Sequence, residues 1–201
     1  MTRHPHWVLA TSNTGKVVEL ETLLEEARVP IRVTAQSDLG VTAPPETAST
    51  FVENALQKAR HAADVTGLPA IADDSGLVVA ALGGAPGVRS ARFAGEGADD
   101  AANVAKLLDL LAAHPHERAA RFQCVLVALE RPDDPAPLIA SGSWAGEIAH
   151  APSGSGGFGY DPVFFDPKLG RTAAELSRVE KNRVSHRGAA LRRLVELLKN
   201  R

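Results

Sequence analysis

Two rhythms of apolar and polar residues organise the first third of the chain. Residues 7–10, Trp-Val-Leu-Ala, form a short apolar run, and after the polar residues 11–15 apolar positions recur at Val17, Leu20, Leu24 and Ala27. A short apolar run reads as a strand, and three- and four-residue spacing makes one buried helical face. A strand, a loop and a helix are therefore predicted in that order. Residues 31–35 alternate and predict a second strand, whereas residues 36–49, with Gly40, Pro44 and Pro45, predict a loop. Thr50 and Glu53 stand at capping-box spacing for a helix ending near Gly67 and Pro69. Residues 70–74 predict a third strand and residues 77–82 another, stopped by Gly83-Gly84-Ala85-Pro86-Gly87. An amphipathic helix is predicted over 99–112, and strands over 121–129 and 138–148, joined by the turn 131–137, predict a hairpin. Residues 151–160 are glycine-rich, 163–165 are a short apolar piece, and Ser185 can cap a last helix with the stripe Leu191, Leu194, Val195 and Leu198. Helices and strands alternate early and strands cluster late, which predicts an α/β chain with a mixed sheet.

Composition narrows the class. The chain of 201 residues is 44% hydrophobic and 23% charged, as in globular proteins, and its length suits one domain or two lobes sharing a sheet. With 22 basic and 24 acidic residues, the net charge of -2 supplies no overall positive field for nucleic acid or an anionic membrane. Cys124, the single cysteine, lies in the apolar run Cys-Val-Leu-Val-Ala-Leu and reads as a core residue. The N-terminal Met-Thr-Arg-His-Pro-His-Trp has no apolar signal core, and no run approaches membrane-spanning length, so a cytoplasmic location is expected.

Residues 70–76, Ala-Ile-Ala-Asp-Asp-Ser-Gly, carry the strongest chemical signal. Strand side chains alternate between faces, so Asp73 and Asp74 point apart: one can face a ligand while the other braces loops. At the carboxyl end of a strand in an open α/β sheet, such a pair lies where ligands collect. Its oxygens suit a hard divalent cation, Mg²⁺ above all. The alternative is an ordinary Asp-Ser-Gly turn.

Three other stretches carry candidate chemistry. Thr11-Ser12-Asn13-Thr14-Gly15-Lys16 joins a strand to a helix, where free N–H groups and the helix dipole attract anions. Ala10 and Val17 break the GxxxxGK[ST] pattern, leaving a shorter phosphate cradle or a capped helix with a surface lysine paired to Glu19. Gly154-Ser155-Gly156-Gly157-Phe158-Gly159 matches GxGxxG but precedes Tyr160-Asp161-Pro162 rather than a helix, so the dinucleotide reading fails. Phe158 or Tyr160 can contact a base there, or the stretch is a plain flexible loop. Ser185-His186-Arg187 puts two potential cations in a helix's first turn, where positive charge is unfavourable. A polyphosphate or purine carbonyl would compensate them, with Lys181 in the same cluster; alternatively they form a solvated patch balanced by Glu180 and Glu175. His4, His6, His61, His114, His116 and His150 show no ligand-like grouping, Glu53 reads as a cap, and Glu46 is a second metal candidate.

Together, residues 11–16 with Glu19, 70–76, 156–161 and 180–187 resemble the inosine triphosphate pyrophosphatase family. Phe51-Val52-Glu53-Asn54-Ala55, Leu82-Gly83-Gly84-Ala85-Pro86-Gly87 and Thr172-Ala173-Ala174-Glu175-Leu176 extend the resemblance end to end. It implies Mg²⁺-dependent cleavage of ITP, dITP and XTP to the monophosphate and pyrophosphate. It further implies an elongated mixed sheet flanked by helices, two lobes of one domain with a central cleft, and a homodimer. By position, Thr11, Ser12, Asn13, Thr14, Gly15 and Lys16 would bind the triphosphate, and Asp74 would bind metal and accept a proton. Ser75, Phe158, Gly159, Tyr160, Asp161, Lys181, His186 and Arg187 would contact substrate. The family's acidic metal ligand before the Glu53 helix falls on Pro45 here, with Glu46 alongside.

The chemistry agrees with that resemblance. Cleavage between α and β phosphates needs a metal, cations along the leaving pyrophosphate and a positioned water. Donors from His186, Arg187 or loop N–H groups would accept a 6-keto purine and leave an unpaired donor facing adenine. Two other readings stand beside it: a septum-inhibition-type pyrophosphatase acting on dTTP or modified pyrimidines, against which Ser185-His186-Arg187 argues, and a nucleotide-binding protein without turnover. A Nudix signature is lacking in residues 15–30.

Overall fold

Strand β1 (His6–Leu9) feeds helix α1 (Thr14–Glu26), which returns to β2 (Arg32–Ala35), and helix α2 (Phe51–Thr66) leads on to the ten-residue strand β3 (Ala70–Val79). The computed structural model describes residues 5–200; His4 and the start of the N-terminal segment lie outside them. Helix α3 (Asp100–Leu110) precedes the long strands β4 (Ala119–Leu129) and β5 (Leu138–Ile148), and then come β6 (Phe164–Asp166) and β7 (Arg171–Thr172). Helices α4 (Arg178–Val184) and α5 (His186–Lys199) end the fold. The seven strands run in the order β2-β1-β3-β4-β5-β6-β7. β1 pairs in parallel with β2 and β3, whereas β6 pairs antiparallel with β5 and β7, so the sheet is mixed as predicted.

The chain divides into two compact units: one runs to Asp74 and includes Cys124–Gly142 and the chain from Ala190, the other holds Ser75–Gln123 and Ser143–Ala189. In the first unit, alternation along the strands sorts the core into two layers. Leu9, Ile71, Cys124 and Leu126 pack with Leu20 and Leu24 of α1 and with the predicted α5 stripe Leu191, Leu194, Val195 and Leu198. Val8, Ala70, Ala72 and Val127 pack against Ala55, Ala59, Ala62 and Ala63 of α2. In the second unit, Leu77, Val104, Leu107, Phe122, Trp144, Tyr160 and Phe164 share a core.

The caps explain most helix boundaries. Thr50 and Glu53 form the predicted capping box, and Gly67 closes α2 in the left-handed conformation at φ 67°. Ser185 accepts from Gly188 N–H at 3.1 Å and so caps α5 as expected.

One expectation needs correction, and one helix lies where none is predicted. Residues 70–74 and 77–82 are not separate strands: β3 runs unbroken through Asp73-Asp74-Ser75-Gly76 and ends at Val79, and residues 80–82 form a 3-10 turn. The turn preference of Asp-Ser-Gly loses because both carboxylates find partners on neighbouring helices instead of on their own backbone, and Leu77 N–H donates to Ser90 Oγ at 2.9 Å. The acidic pair thus lies inside a strand and not at its end. Helix α4 was not predicted; it buries no residue and is held by the Ser177–Glu180 capping box and by Arg171 on Glu180 at 2.8 Å.

Candidate active site

The alternation of β3 sends its two carboxylates to opposite faces. Asp73 shares the parity of Ile71 and meets α1, where both its oxygens accept from Lys16 Nζ, at 2.9 and 3.1 Å. Lys16 stands in the first turn of α1, which has no acidic residue, so its charge opposes the helix dipole; Asp73, 57 residues on, compensates it. The loop before α1 is folded by its own side chains. Thr11 Oγ1 accepts from Asn13 N–H at 3.1 Å, and Asn13 caps the helix through Gly15 N–H at 2.9 Å. Ser12, Asn13 and Thr14 remain exposed on it.

Asp74 shares the parity of Ala70 and Ala72 and meets α2. Asn54 Nδ2 donates to Oδ2 at 3.1 Å and Lys58 Nζ to Oδ1 at 3.3 Å. Lys58 also donates to Glu46 at 2.7 Å, so two carboxylates face one ammonium. Asp74 is 6% exposed and Lys58 9%, so this pair is buried beside a partly exposed Glu46, against a helix otherwise lined with alanine. Burial pushes the Asp74 carboxyl above its ordinary value against the pull of Lys58, and Glu46 adds to the rise. Burial alone would lower Lys58, but Asp74 and Glu46 outweigh it and hold the ammonium above its ordinary value. The Lys58 shift thus comes from the two carboxylates around it, whereas the Asp74 shift is chiefly the cost of burial.

Glu46 Oε1 and Asp74 Oδ1 both accept from the Lys58 ammonium, and each carboxylate has a second oxygen; a hard cation takes one or two carboxylates plus phosphate oxygens, so these are the two carboxylates that could hold one beside Lys58. Among the described residues, no cluster of three or more His, Cys, Asp or Glu side chains would hold an ion unaided. With Asp73 and Lys16 included, three carboxylates against two ammoniums leave the first unit's cluster with an excess of negative charge.

In the second unit, Ser75 Oγ is buried and has no hydrogen-bond partner among the described residues. Gly157 and Gly159 take positive φ, 76° and 59°, in the loop before Asp161, and a Cβ on Gly157 would fall 2.0 Å from Asp161 Oδ2. Asp161, 3% exposed, accepts from Phe158 N–H at 2.8 Å and pairs with Lys181, whose Nζ stands 4.8 Å from the centroid of the Phe158 ring. Phe158 is 73% exposed, whereas Tyr160 is buried and donates to Ser90 O at 2.9 Å. The His186 ring stacks on Phe122, centroids 4.8 Å apart and planes 15° apart, and Arg187 follows it in the first turn of α5. Glu180 and Glu175 serve Arg171, Ser177, Ser153 and Thr172 rather than balancing this cluster; Arg171 helps hold Glu180 down to about 2.

Sequence reasoning missed Asn54 and Lys58. Their signal was available: at i and i+4 they interrupt, with polar groups, the small apolar stripe Ala55, Ala59, Ala62 and Ala63.

The arrangement defines an α/β protein whose inner strand β3 presents two buried carboxylates, each paired to a lysine, a centre suited to charged substrates. Its sequence belongs to the Ham1 family, whose model matches residues 7–197. The chain is 59% identical to a dITP/XTP pyrophosphatase of Shigella flexneri over 194 residues, 96% of this chain and 98% of that one. A HAM1 protein from Coxiella burnetii has the same fold at TM-score 0.93 and 50% identity, covering 98% of this chain and all of that one, 100%. The Staphylococcus aureus Ham1 protein aligns at TM-score 0.88 with 39% identity, covering 97% and 98%. The resemblance read from the motifs is borne out at the level of family and fold. Among the described residues, no helix is long and apolar enough to cross a membrane.

Proposed function

We propose that this protein hydrolyses the α–β phosphate bond of purine nucleoside triphosphates bearing hypoxanthine or xanthine, such as dITP, ITP and XTP, releasing pyrophosphate and cleansing the nucleotide pool in the cytoplasm. The observation that carries the reading is the buried Asp74–Lys58 pair with Glu46 on the same ammonium, in a chain 59% identical to a dITP/XTP pyrophosphatase. Asp74 is the proton acceptor. Asn54 and Lys58 occupy one lone pair on each of its oxygens and fix its orientation, which leaves lone pairs for a water proton. Its raised carboxyl makes the carboxylate a better base than an exposed aspartate.

Asp74 and Glu46 would hold a divalent cation, Mg²⁺ in this proposal, which when bound neutralises phosphate charge. Lys16, with the loop residues Thr11, Ser12, Asn13, Thr14 and Gly15, binds the triphosphate, and Lys181 offsets charge on the leaving group. Phe158 stacks on the base with Gly159 and Tyr160 shaping its loop; Ser75 and Asp161 complete the substrate contacts. His186 and Arg187 donate to the 6-keto edge, and adenine would leave those donors facing an amino group. A homodimer is expected, as the motif resemblance implies. Pyrophosphate release from ITP and XTP with little from ATP supports the proposal; equal release from ATP, or none from any purine, refutes it.

A further inference from the structure

The exposed Phe158 ring gains its position from its backbone. Phe158 is 73% exposed, and its neighbours Gly157 and Gly159 adopt positive φ, so neither packing nor a regular ladder fixes the peptide. Two carboxylates from outside the 154–160 stretch do so instead. Asp161 accepts from Phe158 N–H at 2.8 Å, and Asp100, the first residue of α3, accepts from the next N–H, that of Gly159, at 2.6 Å. A carboxylate acceptor makes a short and strong hydrogen bond, about twice a neutral one. Asp100 is not committed to capping its own helix, because Asp99 does that by accepting from Ala102 N–H at 2.8 Å. Directly after the clamped peptide, the buried Tyr160 hydroxyl is tied to Ser90 O at 2.9 Å, which holds the far side of the turn.

We propose that Asp100 is a positioning residue for nucleotide binding: its carboxylate clamps the Phe158–Gly159 peptide so that the phenyl face and Lys181 stand ready for a base. The proposal deepens the reading above, in which Phe158 contacts the base, and it assigns Asp100 no contact with substrate or reacting atoms. A clamp of this kind predicts an effect on KM rather than on kcat, since it orders the site before binding and touches nothing that changes in the reaction.

The test compares D100A and D100N with wild type in steady-state ITP hydrolysis and in amide hydrogen exchange. Asparagine keeps an oxygen that can accept from Gly159 N–H, and alanine does not. D100A is expected to raise KM about tenfold, the loss of one charge-assisted bond, with kcat within about twofold. Exchange at Gly159 should accelerate by a similar factor while residues 103–107 of α3 keep their protection. D100N should recover most of both. Wild-type KM and Gly159 protection in D100A would overturn the proposal, as would a D100N variant as impaired as D100A, which would make charge at the helix start the cause. If the wild-type protein releases no pyrophosphate from ITP, the functional reading fails; slow Gly159 exchange in D100A would then overturn the clamp as well, and accelerated exchange rescued by D100N would support it.

Discussion

Replacing Asp74 by asparagine separates chemistry from architecture. Asp74 accepts from Asn54 Nδ2 at 3.1 Å and from Lys58 at 3.3 Å. An asparagine oxygen can keep one of these, and its amide then faces a donor. Asn54 cannot turn its own amide round without losing the Ala48 N–H bond that its Oδ1 accepts at 3.0 Å. One charge-assisted hydrogen bond is therefore lost, worth about 1.5–3 kcal/mol. Against this, the substitution removes a carboxylate whose charged form burial and Glu46 both disfavour, which returns part of the loss. The net change should stay within about 2 kcal/mol, a Tm shift of roughly 4–8 °C for a chain of this size. Removing a positioned proton acceptor costs about 10²–10⁴ in kcat. Thermal unfolding and pyrophosphate release on the same D74N preparation check both halves. Near-normal turnover would remove Asp74 from its role, and a Tm drop far beyond that range would refute the energetic reasoning.

Three further perturbations follow from the same geometry. Lys58→Met removes the charge that lowers the Asp74 carboxyl, so the acid limb of the kcat profile should move to higher pH than in wild type; an unmoved limb would contradict the cluster's electrostatics. The linkage has a definite sign: a carboxyl raised on folding contributes stability below the ordinary aspartate range that is lost as pH rises through its folded value, so D74N should gain on wild type in urea titrations as pH rises. Lys16→Ala removes the ammonium that both oxygens of Asp73, a side chain only 4% exposed, accept from; breaking such a pair when fully buried costs about 3–5 kcal/mol, and the 29% exposure of Lys16 reduces this to about 1–2. A double-mutant cycle with Asp73→Asn should then recover part of the loss, and strictly additive effects would refute the pairing as an energetic unit. Arg187→Ala should raise KM for ITP or erode its preference over GTP, and unchanged constants for both would remove Arg187 from base contact.

Periodicity made much of the fold legible. The stripes of α1 and α5 and the cap of α2 could be read because each rests on local spacing: Leu20 with Leu24, Leu191 with Leu194 and Leu198, Thr50 with Glu53. What escaped rests on partners distant in sequence. Residues 73–76 look like a turn until Lys16, Asn54 and Lys58 satisfy the carboxylates from helices 16 to 57 residues away, and the strand then continues. Helix α4 has no buried stripe, with Val179 79% exposed, so no hydrophobic signal announced it. Asp73 and Asp74 were legible as a divided pair because strand alternation alone demands it. Their roles were not, since the identity of the bracing cation is a tertiary fact.

The central claim is that Asp74, bridged to Glu46 by Lys58, works with a divalent cation on a purine triphosphate. The direct measurement is pyrophosphate release from ITP, XTP, GTP, ATP and dTTP, side by side, with Mg²⁺ and with chelator. Release confined largely to ITP and XTP and abolished by chelation is the predicted result. Activity undiminished by chelator, or a preference for dTTP, would contradict the account.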